Sequence, residues 1–283
     1  MRPLVMGIVN TTPDSFSDGG AFLHHDDAVA HGFKLVAQGA DIVDVGGEST
    51  RPGASEVGLQ EELDRVIPVV RELASATRVS VDTTKAEVAR QAAAAGATIL
   101  NDVSASLAEV AAQCDLGWVA MHMQGKPRTM QIDPSYQDVV AEVTAYLAER
   151  AAFAESLGIS EVWIDPGIGF GKTAQHNWDL LRALPALCEL GFPVAVGTSR
   201  KRFLAEVLAS VDDNGETIEP EPGDRLEGSV ATALLAAEAG VSMLRVHDVG
   251  ATVAALAVLN KLNEDNEATT SVDRETMETV KWQ

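Results

Sequence analysis

The chain is short of cysteine and of positive charge, and it has no long apolar run. Its two cysteines, Cys114 and Cys188, fall in helix-like segments, as small core residues do, and lack metal-ligand or redox spacing. No stretch approaches about 20 consecutive apolar residues, which excludes a membrane-spanning helix from expectation. Met1, Arg2 and Pro3 lead almost directly into an apolar run, so no signal peptide is expected and the location expected is cytoplasmic. A net charge of −21 argues against non-specific nucleic-acid partners and against an anionic membrane surface. The acidity, with Lys scarcer than Arg, also suits a high-salt cytoplasm. A fold indifferent to salt removal would sink that halophilic reading.

What is present is a strand–helix rhythm. At 283 residues and 46% apolar content the chain can build one large core. Short apolar or β-branched runs recur at 4–9, 41–45, 78–81, 98–100, 118–121, 162–164, 193–196 and 243–246. Helical patterns separate them. Leu59, Leu63, Val66, Ile67, Val70 and Leu73 share one helix face, with Pro68 as a local bend. Val139, Val143 and Leu147 mark another helix, and Leu234, Leu235 and Ala237 a late one. Eight such alternations in roughly 260 residues predict an α/β fold, a single-domain (β/α)8 TIM barrel. A doubly wound sheet is the rival. It would carry fewer strands at this length, and no Gly-x-Gly-x-x-Gly follows the first run. The barrel is expected over residues 1–262, with an acidic, turn-rich exposed insertion at 211–224. A polar tail follows at 263–283, where Met277, Val280 and Trp282 are possible docking points.

Ligands of such barrels bind at the carboxyl ends of the strands, and there the sequence is rich in chemistry. The first run is followed by NTTPDSFSDGG (residues 10–20), the second by DVGGESTRPG (44–53) and the third by Asp82, Thr83 and Thr84. The fourth run leads to Asn101 and Asp102, the sixth to DPGIGFGKT (165–173), the seventh to TSRKR (198–202) and the eighth to RVH (245–247). Helix capping is the plainer role for Asp82 and Asn101 taken singly. Together, Asp82, Asn101 and Asp165 would converge in the barrel mouth and suit the N–H edge of a flat heterocycle. Arg51, Lys201, Arg245 and His247 would bring positive charge suited to phosphate or carboxylate. DPGIGFGKT falls short of a nucleotide P-loop because Pro166 stands where the first Gly is required. His24, His25, His31 and His176 read as surface residues. His122 follows a strand and ranks below His247 as a pocket residue.

Seven ordered motifs, at 10–20, 44–53, 80–84, 101–104, 165–172, 199–201 and 245–247, closely resemble those of the dihydropteroate synthase family, over roughly residues 4–260. The resemblance implies condensation of 6-hydroxymethyl-7,8-dihydropterin pyrophosphate with p-aminobenzoate to give 7,8-dihydropteroate and pyrophosphate. It implies a pterin site of Asp82, Asn101, Asp165 and Lys201, with Arg245 over a pterin face. Arg245, His247 and Asn10 would hold the pyrophosphate. It further implies Mg²⁺ on Asn10 and Asp18, and a p-aminobenzoate subsite of Phe16, Thr50, Arg51, Pro52 and Phe170. Segments 11–22 and 49–58 would close after the pterin binds. Lys201, Arg245, His247 and Asp82 would carry catalysis by electrostatics and positioning, with no covalent intermediate, in a homodimer. Arg202 departs from the Ser of many relatives, which bears on contacts to the p-aminobenzoate carboxylate. The segment ahead of the first strand is also short, leaving the tail around Trp282 as a candidate cover for the barrel floor. Two other functions fit less well. A methyltetrahydrofolate-dependent methyltransferase has no pyrophosphate to expel, and a non-catalytic pterin-binding paralogue would not need the cationic residues.

Overall fold

The computed structural model describes residues 2–11, 21–49, 56–211 and 216–278, without the side chains of 21–24 and 264–278. Eight parallel strands form a barrel: β1 (Leu4–Asn10), β2 (Ile42–Gly46), β3 (Arg78–Asp82), β4 (Ile99–Asp102), β5 (Gly117–Met121), β6 (Val162–Asp165), β7 (Ala195–Val196) and β10 (Met243–Val246). Their order around the ring is β6-β5-β4-β3-β2-β1-β10-β7, and one parallel bridge between Ile164 and Val194 brings the two ends together. Each strand matches an apolar run of the sequence to within a residue or two.

Alternation along the strands explains both cores. Outward-pointing Val5, Val43, Val79, Leu100, Trp118, Ile164, Val196 and Leu244 pack under the helices. Inward-pointing Met6, Ile42, Ile99, Val119, Trp163, Ala195 and Met243 fill the barrel as one apolar layer. One step further toward the carboxyl ends the inward positions become Asp44, Asp82, Asn101, Asp165 and Arg245, so the barrel is greasy below and polar at its mouth. At the opposite end, among the described residues, the floor carries charge. Arg78 pairs with Glu161 at 2.7 Å, and Arg2 chelates Asp41. Trp282, the expected floor cover, lies outside the described residues.

The helices follow the predicted faces, with two exceptions, one of them Leu59, which opens its helix and is 44% exposed there instead of buried. Helix α2 (Leu59–Leu73) runs on through Pro68 and buries Leu63, Val66, Ile67, Val70 and Leu73; α5 (Val139–Ser156) buries Val139, Val143 and Leu147. In α9 (Leu226–Glu238), however, the buried face is Ser229, Thr232, Ala233 and Ala236, and Leu235 is 61% exposed. Small residues let α9 approach the barrel closely, and the leucine is left outside. The described residues of the insertion, 211 and 216–224, are mostly exposed, and a short antiparallel pair forms there, β8 (Ser210–Val211) with β9 (Thr217–Ile218). The stretch from Asn263 continues the last helix, α10 (Val249–Glu278). Among the described residues no helix is long and apolar enough to cross a membrane.

Candidate active site

The strand ends deliver their polar side chains to one place. Arg245, from β10, reaches across the barrel interior and donates from Nε to Asp44 Oδ2 at 2.6 Å and from Nη2 to Asp82 Oδ2 at 2.7 Å. Asn101 Nδ2 donates to the same Asp44 oxygen at 3.0 Å. The arginine plane is thus fixed by two carboxylates, which also keep its pKa above the ordinary guanidinium value against the pull of burial. Asp82 feels the reverse balance. Burial raises its pKa to about 7; Arg245 lowers it, and Asp44 raises it further.

On the other side of the mouth Asp165 Oδ1 accepts from Gly167 N at 2.7 Å, and burial raises its pKa while Lys201 and that hydrogen bond pull it down. The β6 exit loop can turn so tightly because Gly167 has φ +64° and lies against β5. A Cβ there would stand 1.9 Å from the His122 carbonyl oxygen. Lys201 donates to Ile168 O and places its ammonium 4.8 Å above the Phe170 ring. Burial lowers its pKa to about 8. Thr173 then caps α6 (Ala174–Arg182) by accepting from His176 N, so His176 has a capping task.

His247 stands at the end of β10, where Ser199 Oγ accepts from its backbone N–H at 3.1 Å and lies 3.0 Å from its Nδ1. Asn10 closes β1 in register with Gly46, the last residue of β2. Arg202 turns its 82% exposed side chain toward Glu219 of the insertion, at 3.9 Å. His122 is buried, faces Lys172 and stacks edge-on against Tyr146. Of the predicted site residues, Asp82, Asn101, Asp165, Lys201, Arg245, His247, Asn10 and Phe170 are described. Phe16, Asp18, Thr50, Arg51 and Pro52 lie outside the described residues.

Sequence reasoning gave no role to Asp44, Ser199 or Lys172, although each falls in a motif it singled out. Alternation was the available signal for Asp44, because it is the inward residue two positions after Ile42. A second polar knot was also missed. Lys85 Nζ bridges Glu48 and the fully buried Glu62, and Thr83 Oγ1 donates to Glu62 at 2.6 Å.

A mouth lined by carboxylates, an amide and clamped cations can hold a heterocycle with N–H donors on one edge and an anion beside it. Comparison with known proteins gives the same direction. Residues 6–247 match the family described as pterin binding enzyme. The chain is 47% identical to the dihydropteroate synthase of Escherichia coli (strain K12) over 266 residues, covering 91% of each chain. Identity to the Mycobacterium leprae (strain TN) dihydropteroate synthase is 48% over 265 residues, covering 90% of this chain and 92% of the relative. Two structures of the Xanthomonas albilineans dihydropteroate synthase superimpose closely. The form with 4-aminobenzoic acid has TM-score 0.83 at 50% identity, covering 93% of each chain. The complex with 7,8-dihydropteroate has TM-score 0.80 at 47% identity, covering 93% of this chain and 94% of that one. The chain belongs to the pterin binding enzyme family and, within it, to the dihydropteroate synthases.

Proposed function

We propose that the chain joins 6-hydroxymethyl-7,8-dihydropterin pyrophosphate to p-aminobenzoate, releasing pyrophosphate and 7,8-dihydropteroate. The observation that carries this reading is the convergence of Asp82, Asn101, Asp165, Lys201 and a doubly clamped Arg245 at one barrel mouth.

Asp165 presents a carboxylate edge matched to a ring N–H and the neighbouring amino group. Its Oδ1 is already oriented by Gly167 N. Asn101 gives its N–H to Asp44, which leaves its carbonyl oxygen to accept from the heterocycle. Lys201 donates to the opposite, carbonyl-bearing edge. Arg245 covers a pterin face, and its Nη1, with His247 and Asn10, grips the pyrophosphate. The C–O bond to pyrophosphate breaks as the arylamine nitrogen bonds to the methylene carbon, and the amine then gives up a proton to water. Asp82 favours the positive charge that develops on the ring while the cationic groups neutralise the leaving group. An aniline nitrogen is uncharged near neutrality, so no strong base is required. Positioning and electrostatics carry the reaction without a covalent enzyme intermediate.

The donor set fits a Mg²⁺ that travels with the pyrophosphate. Asn10 offers a hard oxygen at the strand end, with Asp18 as its proposed companion. Among the described residues no group of three His, Cys, Asp or Glu could cage a metal. When bound, the ion supplies charge neutralisation of the leaving group. Phe16, Thr50, Arg51, Pro52 and Phe170 make up the proposed p-aminobenzoate subsite, filled after the pterin.

A homodimer completes the proposal. Val207 of α8 (Arg202–Leu208), Leu235 of α9, and Val258 and Leu262 of α10 are exposed on helices that pack side by side, and such a face suits a second copy. Two free cysteines accord with the cytoplasm. Purified protein with both substrates and Mg²⁺ should yield dihydropteroate and pyrophosphate, and Lys201→Ala should cut turnover sharply. A folded but inactive protein would refute the reading. Light scattering of wild type and Leu235→Asp tests the dimer.

A further inference from the structure

Lys172 has no task in this chemistry, yet it is only 2% exposed. A buried ammonium is costly unless its protons find acceptors. Its hydrogen-bond partners are two backbone carbonyls and an imidazole, not a carboxylate. Its Nζ donates to Phe170 O at 3.0 Å and to His122 O at 3.3 Å, and lies 2.9 Å from His122 Nδ1. Burial holds the His122 pKa down to about 3, so the ring is neutral and Nδ1 accepts in the Nε2–H tautomer. Three protons therefore meet three acceptors. Burial also lowers the Lys172 pKa, to about 7, with Asp165 raising it and Lys201 lowering it. The neutral amine keeps two N–H groups for the two carbonyls, and a change of imidazole tautomer turns Nδ1 into a donor to its lone pair. The attachment is thus kept in either protonation state.

The attached loop is the one that shapes the site. Gly171, like Gly167, has a positive φ and is pressed against the β5 exit, where a Cβ would stand 2.2 Å from Gln124 O. On the pocket side, Ile168 O receives Lys201, and the Phe170 ring lies under the same ammonium. Phe170 is thus held at its carbonyl by one lysine and at its ring by another.

We infer that Lys172 is a positioning residue for the p-aminobenzoate subsite: it pins the β6–α6 loop to the exit of β5 and so fixes Phe170 against Lys201. The inference rests on the reading of Phe170 as a wall of that subsite.

Lys172→Met keeps the side chain's length and removes its donors. The expected result is a KM for p-aminobenzoate raised roughly tenfold, with kcat and the calorimetric Kd for the pterin pyrophosphate changed by less than about threefold. His122→Leu, which spares both carbonyls, should move the same KM in the same direction but less, and His122→Asn, which restores an acceptor, should not. In Lys172→Ala, propylammonium should recover the KM and tetramethylammonium should not. The last two experiments carry the test if Lys172→Met does not fold. An unchanged KM in folded Lys172→Met, or an equal loss of pterin affinity, overturns the inference. Phe170→Ala separates the two levels. A raised KM there beside a normal one in Lys172→Met defeats the positioning role alone. An unaltered KM in Phe170→Ala defeats the subsite reading and the inference with it.

Discussion

Arg245 and Asp44, 201 positions apart in sequence, meet at 2.6 Å in the barrel interior. The carboxylate oxygen they share with Asn101 is the hub of the polar barrel mouth, and its twin, Asp44 Oδ1, is buried with no hydrogen-bond partner among the described residues. Neutralising this carboxylate leaves Arg245 with Asp82 alone. Asp44→Asn should therefore lower folding stability by roughly 2–3 kcal/mol, because a buried cation loses half its compensation. Turnover should drop about 100-fold as the arginine plane loses its anchor. Urea unfolding and steady-state kinetics check the two halves. A stable variant with normal turnover would remove Asp44 from the site.

Two titrations frame the pH behaviour. The Asp82 pKa is raised from 3.8 to about 7, so the folded protein keeps a proton that the unfolded chain sheds near pH 4. Stability from this group is full below pH 4 and falls as pH climbs through about 7. The Lys201 pKa is lowered from 10.5 to about 8, which has the opposite sign. Its contribution is full above pH 10.5 and is lost as pH falls through about 8. The proposed reaction needs Asp82 ionised and Lys201 charged. The kcat/KM for the pterin substrate should follow a narrow bell with apparent limbs near 7 and 8. Asp82→Asn should abolish the acid limb, and an identical acid limb in that variant would show that another group sets it.

The strands and their ends were legible because an inward-and-outward apolar run is hard to mistake, and because Asp82, Asn101 and Asp165 each follow one directly. Alternation marks Asp44 only as an inward residue; its ties to Asn101 and Arg245 were not legible, since those partners lie 57 and 201 positions away. Leu235 was assigned to a buried face by spacing alone. Packing preferred Ser229, Ala233 and Ala236, whose small size permits close approach to the barrel. The pair β8–β9 escaped notice because two residues per strand carry no periodicity. In Lys172 a P-loop-like spacing obscured an inward-turned lysine whose partners are backbone carbonyls, which sequence does not display.

Lys85 ties three elements together. Its ammonium, at the start of α3 (Ala86–Ala95), bridges Glu48 after β2 and the fully buried Glu62 of α2. Glu48 in turn accepts from Val57 N at 3.2 Å. Lys85→Met strands Glu62 with Thr83 as its one remaining donor among the described residues, so stability should fall by about 3–5 kcal/mol. Adding Glu62→Gln removes the stranded charge and should recover most of that loss. Denaturant unfolding of the two variants decides it. A double variant as unstable as the single one would mean that packing, not charge, is what Lys85 supplies.

Chelation should separate a metal that serves the substrate from one that holds the fold. The described residues offer Asn10 at the end of β1 and no cluster able to cage an ion. A chelator should therefore abolish turnover and leave the melting temperature of the free protein within about 1 °C, because an ion bound only with the pyrophosphate contributes nothing to the unliganded fold. With Mg²⁺ and pyrophosphate together at about 100 times their Kd, stabilisation should reach roughly 2.7 kcal/mol. Asn10→Ala should raise the Mg²⁺ concentration needed for half-maximal turnover. If the chelator lowers the melting temperature of the free protein by several degrees, the metal is structural, and Asn10 is not its defining ligand.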